Sequence, residues 1–206
     1  NLRGPQLPGY RLEPGPLVQV VVATGRVIST SRVQVGSEVT GTVVERRVKE
    51  GDGVKPGDVL VVLRADDLEA RVRQAEAALR ELQSSTRPQS AASLRQAEAQ
   101  LAQASRERQR RADLFARQLV SREVQEQAEE AEAVARAAAE KARLAADAAA
   151  PGSTAEIQLR EQVAAARAQR AKAVVRAGTT GIVLTRNAEP GDLVQPGRVL
   201  FEIAKG

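Results

Sequence analysis

The sequence predicts an α+β chain: a small β-sandwich in two halves, interrupted by a long antiparallel α-helical coiled-coil hairpin. Three observations predict it. A β-type pattern of 25 residues occurs twice, at an offset of 140 residues. Between the copies runs a tract of Ala, Glu, Gln, Arg and Leu, all strong helix formers. The chain also has no Cys, His, Met or Trp, with one Tyr and two Phe. Burial must therefore come from Val, Leu, Ile and Ala, which suits thin modules and helix pairs.

Composition narrows the function classes. Without His the usual general base near neutral pH and the commonest metal ligand are missing. Without Cys there is no disulfide framework and no thiolate site. No enzyme activity, catalytic residue, cofactor or metal site is expected. Lys and Arg number 31 against 26 Asp and Glu, a net charge of +5. These charges alternate in sign at helix-face spacing, as in "EAALRELQ", which reads as solvated helix surface rather than a nucleic-acid patch. No apolar run reaches the length of a membrane span.

Taken in chain order, residues 1–34 form an N-terminal segment. The first β copy is "VTGTVVERRVKEGDGVKPGDVLVVL", 39–63, within a first half assigned to 35–66. The second is "TTGIVLTRNAEPGDLVQPGRVLFEI", 179–203, within a second half assigned to 177–206. Each reads as three short strands of alternating apolar residues. Gly41, Gly51 and Gly57, with their counterparts Gly181, Gly191 and Gly197, are read as structural turn glycines. A unit of this size cannot bury its apolar face alone, so the two copies are expected to face each other about a pseudo-twofold axis.

Residues 67–176 read as the helical hairpin. A four-three seam runs through Leu68, Val72, Ala75, Leu79 and Leu82, then Leu94, Ala97, Leu101 and Ala104. The returning arm continues it through Val124, Ala128, Ala131, Ala135, Ala138, Ala142 and Ala145, then Leu159, Val163 and Ala166. Pro88 and Pro151 fall on opposite sides of the midpoint and should kink or break both arms at a similar height. Each arm then holds about 45–55 residues, or about 70–80 Å of helix. The tip falls near 113–121, where "DLFARQLVS" carries Leu114, Phe115, Leu119 and Val120 without Gly or Pro. Those residues read either as a hydrophobic staple, Leu114 against Leu119, or as an exposed docking tip.

The half-motif "G-x-V … G-D-x-V-x-x-G-D-x-L" resembles that of biotinyl/lipoyl domains, so the β module is expected to be a split lipoyl/biotinyl-like sandwich. Carriers of that type join their halves by a hairpin bearing a modified Lys. Here no Lys occurs between Lys55 and Lys141, which argues against a swinging-arm carrier. A lipoyl-like domain split by a helical hairpin resembles the periplasmic adaptor, or membrane fusion protein, family of tripartite efflux and type I secretion systems. Members docking on TolC-type ducts carry Arg-x-x-x-Leu-x-x-x-x-x-x-Ser at the tip, a spacing matched by Arg110, Leu114 and Ser121.

The resemblance implies a docking role for those three residues and two partners, an outer-membrane exit duct of the TolC type and an inner-membrane transporter. It also implies a homo-hexameric funnel in the periplasm, with an inner-membrane anchor lying outside this chain. Residues 1–34 would be the strand remnant of a β-barrel or membrane-proximal region. "ATGRV" and the seam look closest to adaptors of macrolide-type ABC exporters, with adaptors of proton-driven RND pumps as the alternative. A structural coiled coil with β caps, or a carrier module, are the readings from other classes.

Overall fold

A computed structural model describes residues 31–205; residues 1–30, most of the expected N-terminal segment, lie outside the described residues. The described chain runs β1 (Arg32–Gly36), β2 (Gly41–Arg46), β3 (Gly53–Val54), β4 (Val59–Arg64), α1 (Asp66–Glu81), a π-helical turn (Leu82–Thr86) and α2 (Arg87–Ala116). It returns through α3 (Arg122–Ala148), α4 (Thr154–Ala171), β5 (Val174–Arg176), β6 (Gly181–Arg186), β7 (Leu193–Val194) and β8 (Val199–Lys205).

The strands form two four-stranded antiparallel sheets, ordered β1-β8-β6-β3 and β5-β4-β2-β7. Each sheet has a central pair from one half, flanked by strands from the other. The 140-residue offset recurs in the hydrogen bonds. Gly51 N–H donates to Val183 O at 2.8 Å, and Gly191 N–H donates to Val43 O at 2.8 Å. Likewise Gly57 N–H donates to Ala177 O and Gly197 N–H to Ser37 O. Neither half closes its own hydrogen bonds.

Alternation turns one side chain of every two inward, except where register shifts at Leu60 and Leu200 bury two neighbours in a row. Val43, Val54, Leu60, Val61 and Leu63 meet Val183, Val194, Leu200, Phe201 and Ile203 in one buried cluster. Phe201, at the position of Val61, is fully buried and supplies its only aromatic ring among the described residues.

Of the six repeat glycines, Gly51, Gly57, Gly191 and Gly197 hold positive φ in the turns. Gly41 and Gly181 do not. They open strands β2 and β6, where a side chain would strike the neighbouring strand. At Gly181 an added Cβ would lie 2.6 Å from Ile203 Cγ2 and closer still to the Ala204 carbonyl oxygen.

The halves extend beyond the boundaries read from sequence. β1 pairs with β8 from Arg32 onward, so the first half begins before residue 35. The helical reading to 176 is likewise corrected, because α4 ends at Ala171 and Val174–Arg176 is β5, paired with β4. The β-branched pair Val174-Val175 was the signal for a strand there. This pairing sets Val62 beside Val174, and Leu63 N–H donates to Ala173 O at 2.8 Å. The two arms thus leave the sheet side by side.

Helix α1 packs on α4, and α2 on α3. The returning arm is interrupted at Pro151: α3 ends at Ala148, with Ala149 as its C-cap, and Ser153 caps α4 by accepting from Glu156 N–H. Pro88 does not break its arm. The backbone stays helical throughout, with Arg87 N–H donating to Leu82 O across a π turn. Widening the ring just ahead of Pro88 absorbs the missing donor without stopping the helix.

Opposite that turn lies Glu156, only 3% exposed. Its carboxylate accepts from Gly152 N–H at 2.7 Å, Gln83 Nε2 at 3.1 Å and Arg160 Nη2 at 3.0 Å. Arg87 Nη2 lies 3.1 Å away. These donors, the Gly152 amide first, hold its pKa down to about 2 from an ordinary value of 4.5.

The seam in α3 differs from the sequence reading. Ala139 is buried and Glu132 and Ala146 are half-buried, whereas Ala131, Ala138 and Ala145 face solvent. With Ala in both phases, the apolar pattern did not distinguish them. The polar ties do: Glu132 accepts from Ser105 Oγ at 2.7 Å and from Arg108 Nε at 3.0 Å on the opposing arm.

Two measurements follow from this architecture. Gly181→Ala should lower stability by roughly 1–3 kcal/mol through overpacking, while Gly53→Ala, with open space around it, should stay near wild type in a urea titration. Because the folded-state pKa of Glu156 is depressed, its stabilisation is complete above pH about 4.5 and is lost as pH falls toward 2. An acid titration followed by helical circular dichroism should therefore show wild type losing more stability in that window than Glu156→Gln.

Candidate functional site

The tip is built by the way α2 stops. Arg117 is the last half-helical residue, and Gln118 adopts φ of 59°, the left-handed region. Gln118 N–H donates to Phe115 O at 2.8 Å, and Leu119 N–H to Leu114 O at 2.9 Å. This pair of bonds is a Schellman ending, made here with Gln where Gly is usual. A side chain in this region is strained, so the sequence offered no Gly signal for the turn. Ser121 then caps α3, its Oγ accepting from Val124 N–H at 3.4 Å, with Glu123 in the first turn favouring the helix dipole.

Arg110 and Leu114 stand one turn apart on α2 and so share a face. Arg110 is exposed, its guanidinium paired with Glu107 on the same helix. Leu114 is half-buried, as are Phe115 and Val120. Leu119 is 66% exposed. The backbones of Leu114 and Leu119 are joined by that bond, and most of the Leu119 side chain stands in solvent. Sequence reasoning offered an exposed tip as one of its two readings of this cluster without singling out Leu119 as the residue the turn carries outward. Exposed Arg117 and Arg122 flank it in the chain.

Ser121 thus has its oxygen engaged as a helix cap, while its hydroxyl proton can still be donated. The arrangement can present an apolar side chain among guanidinium and hydroxyl donors. Among the described residues no group of three His, Cys, Asp or Glu side chains gathers as metal ligands. Also among them, no helix is long and apolar enough to cross a membrane.

The architecture is that of a β module split by a helical hairpin, and solved structures similar to this chain are periplasmic adaptors and membrane fusion proteins. The periplasmic adaptor EmrA is 19% identical, with a TM-score of 0.49 over 85% of this chain and 72% of that one. The soluble domain of LipC, a membrane fusion protein of a type I secretion system, is 16% identical, with a TM-score of 0.49 over 85% of this chain and 100% of that one. MacA from Actinobacillus actinomycetemcomitans is 19% identical, with a TM-score of 0.48 over 84% of this chain and 48% of that one. No protein-family model matches the sequence. No curated protein matches it either.

The double duty of Ser121 can be separated. Ser121→Ala should lose about 0.5–2 kcal/mol of cap energy and speed hydrogen exchange at Val124, whereas Ser121→Asp should keep exchange near wild type.

Proposed function

We propose that this chain is part of a periplasmic adaptor subunit of a tripartite export pump, docking through its hairpin tip on an outer-membrane exit duct of the TolC type. The single observation that carries this reading is the tip itself. Leu119 stands exposed beyond the Schellman turn at the far end of a hairpin rooted in a split β module. An apolar side chain held out there, distant from any core of its own chain, suits a partner's groove. In this reading the β module is a split lipoyl-like domain without the acceptor Lys, and the arms form a coiled-coil hairpin.

Docking needs no covalent chemistry from the chain, which acts by positioning rather than as an enzyme. Leu114 and Leu119 fill grooves between duct helices. Arg110, once it leaves Glu107, and Ser121 donate hydrogen bonds to duct backbone or carboxylates and fix the register. The inner-membrane partner is an ABC exporter of the macrolide type, with an RND pump as the alternative. The working form is a homo-hexameric funnel in the periplasm, tethered by an anchor outside this chain. Turn chemistry at Gly51, Gly57, Gly191 and Gly197 serves only to close the root from which the hairpin projects.

The absence of native Cys makes the test direct. Single Cys substitutions at Leu114 and Leu119, each bearing a photo-crosslinker, are incubated with outer-membrane extract from the source cell. A mass-spectrometric product with a trimeric exit duct is expected from both sites, and Arg110→Ala should abolish it. Products containing only further copies of this chain would overturn the reading.

A further inference from the structure

The shoulder between the two helix pairs has no part in the docking chemistry, yet it holds the most buried carboxylate among the described residues. Three features meet there. The outgoing arm passes through a π turn at Leu82–Thr86 without breaking. The returning arm is interrupted between Ala149 and Ser153, where Pro151 has no N–H and Gly152 takes φ of 78°. The main helix packing lies within the pairs, α1 on α4 and α2 on α3.

Side chains bridge this break. Glu156, in the first turn of α4, reaches Gln83 in the π turn and Arg87 at the start of α2. Arg87 Nε in turn donates to Ala149 O at 2.7 Å, closing the end of α3. Arg87 therefore ties together α2, α3 and α4. Its guanidinium and the Glu156 carboxylate replace the backbone bonds that Pro151 and the interrupted turn cannot make.

We infer that the shoulder is a latched pivot: the π turn is the flexible joint, and the Glu156–Arg87–Ala149 bridge fixes the angle between the proximal and distal helix pairs. A π turn has one residue more than the α-helix it interrupts, so its hydrogen bonds are the easiest in that arm to re-form at another angle. The opposing arm offers no continuous helix to resist bending. With the bridge made, the hairpin behaves as one rod; with it open, the distal pair swings about residues 82–86. Replacing Glu156 by Gln leaves the Arg87 guanidinium, a quarter exposed, without its anion and sets an amide N–H₂ against donors, either Gly152 and Arg87 or Gln83 and Arg160.

The pivot is tested by pulsed dipolar electron paramagnetic resonance on the whole chain, whose lack of native Cys allows spin labels at chosen sites. Labels at Ala133→Cys and Ala168→Cys span the shoulder. Labels at Ala102→Cys with Ala133→Cys, and at Ala77→Cys with Ala168→Cys, lie within the distal and proximal pairs; all four sites are exposed. In wild type all three distance distributions should show a single narrow peak. In Glu156→Gln the across-shoulder peak alone should be lost to a broad distribution, with both within-pair peaks retained. Arg87→Gln, which removes the Ala149 tie and leaves Glu156 its other donors, should give the same pattern and serves if Glu156→Gln does not fold. An across-shoulder peak as narrow as wild type in the folded variant would overturn the pivot. So would equal broadening within the pairs, which would make Glu156 a general support of the hairpin instead.

Discussion

The reciprocal hydrogen bonding between the two β halves is the constraint on which everything else depends. Gly51 needs the Val183 carbonyl and Gly191 needs the Val43 carbonyl. Each central strand pair is flanked by strands from the other half. An unpaired backbone group in such a small core is costly, so the module is complete only when both halves are present. The chain between them must therefore leave and return at one place. A long antiparallel hairpin does this at little cost in closure entropy, because its arms stay together over their whole length. The β4–β5 pairing carries that condition into the helices, since α1 leaves one of those adjacent strands and α4 enters the other.

Register along the hairpin is then reinforced by polar rungs set among the Leu, Val and Ala of the seam. Moving out from the root, Glu76 meets Arg167, Gln83 meets Glu156, Glu98 meets Arg143, and Ser105 with Arg108 meets Glu132. Each step along one arm is matched by a step back along the other. An Ala-rich seam buries little area per residue and would tolerate sliding by a turn. The rungs oppose such slippage, because a one-turn shift would separate all of them. The pKa values of Glu76 and Glu132 are lowered chiefly by their bonds to Arg167 and Ser105 respectively, as expected for charged groups held by donors from the opposing arm.

What was legible in the sequence was what repeats or alternates. The strand pattern of Val43, Leu60 and Val61 returns as Val183, Leu200 and Phe201, and this showed that two copies face one core. The hairpin was legible from composition, and its midpoint from symmetry. Three things were not. The seam phase of α3 was hidden because Ala occupies both candidate stripes, and a charged residue, Glu132, took an inward position through its partners across the arms. Pro88 looked like a break because sequence rules treat each residue alone, whereas the preceding five residues jointly widened the helix. The outward turn of Leu119 depends on Gln118 adopting a left-handed conformation that its side chain disfavours, so no local propensity announced it. Of the proposed docking residues, the spacing of Arg110, Leu114 and Ser121 was visible in the sequence and an exposed tip was one of its two readings, but the helix-capping role of Ser121 was not visible.

The same economy explains why a left-handed Gln and an exposed Leu can be tolerated at the tip. Stability in this chain is concentrated at the root, where the fully buried side chains lie, and thins along the Ala seam. Toward its far end the hairpin depends on local bonds: the Schellman pair at Leu114 and Phe115, and the Ser121 cap. A strained residue there weakens only the last turns and leaves the β module untouched, because no core side chain packs against it. Such an end can be reshaped by substitution without unfolding the rest, which is what a surface selected for fit to a partner requires. In the proposed docking role, the arms carry that surface far from the root, with reach from their length and direction from the inferred latch at Glu156. The fully buried large side chains therefore lie at the root, and the arms combine scattered Leu and Val of the seam with alanine and arginine–glutamate ties.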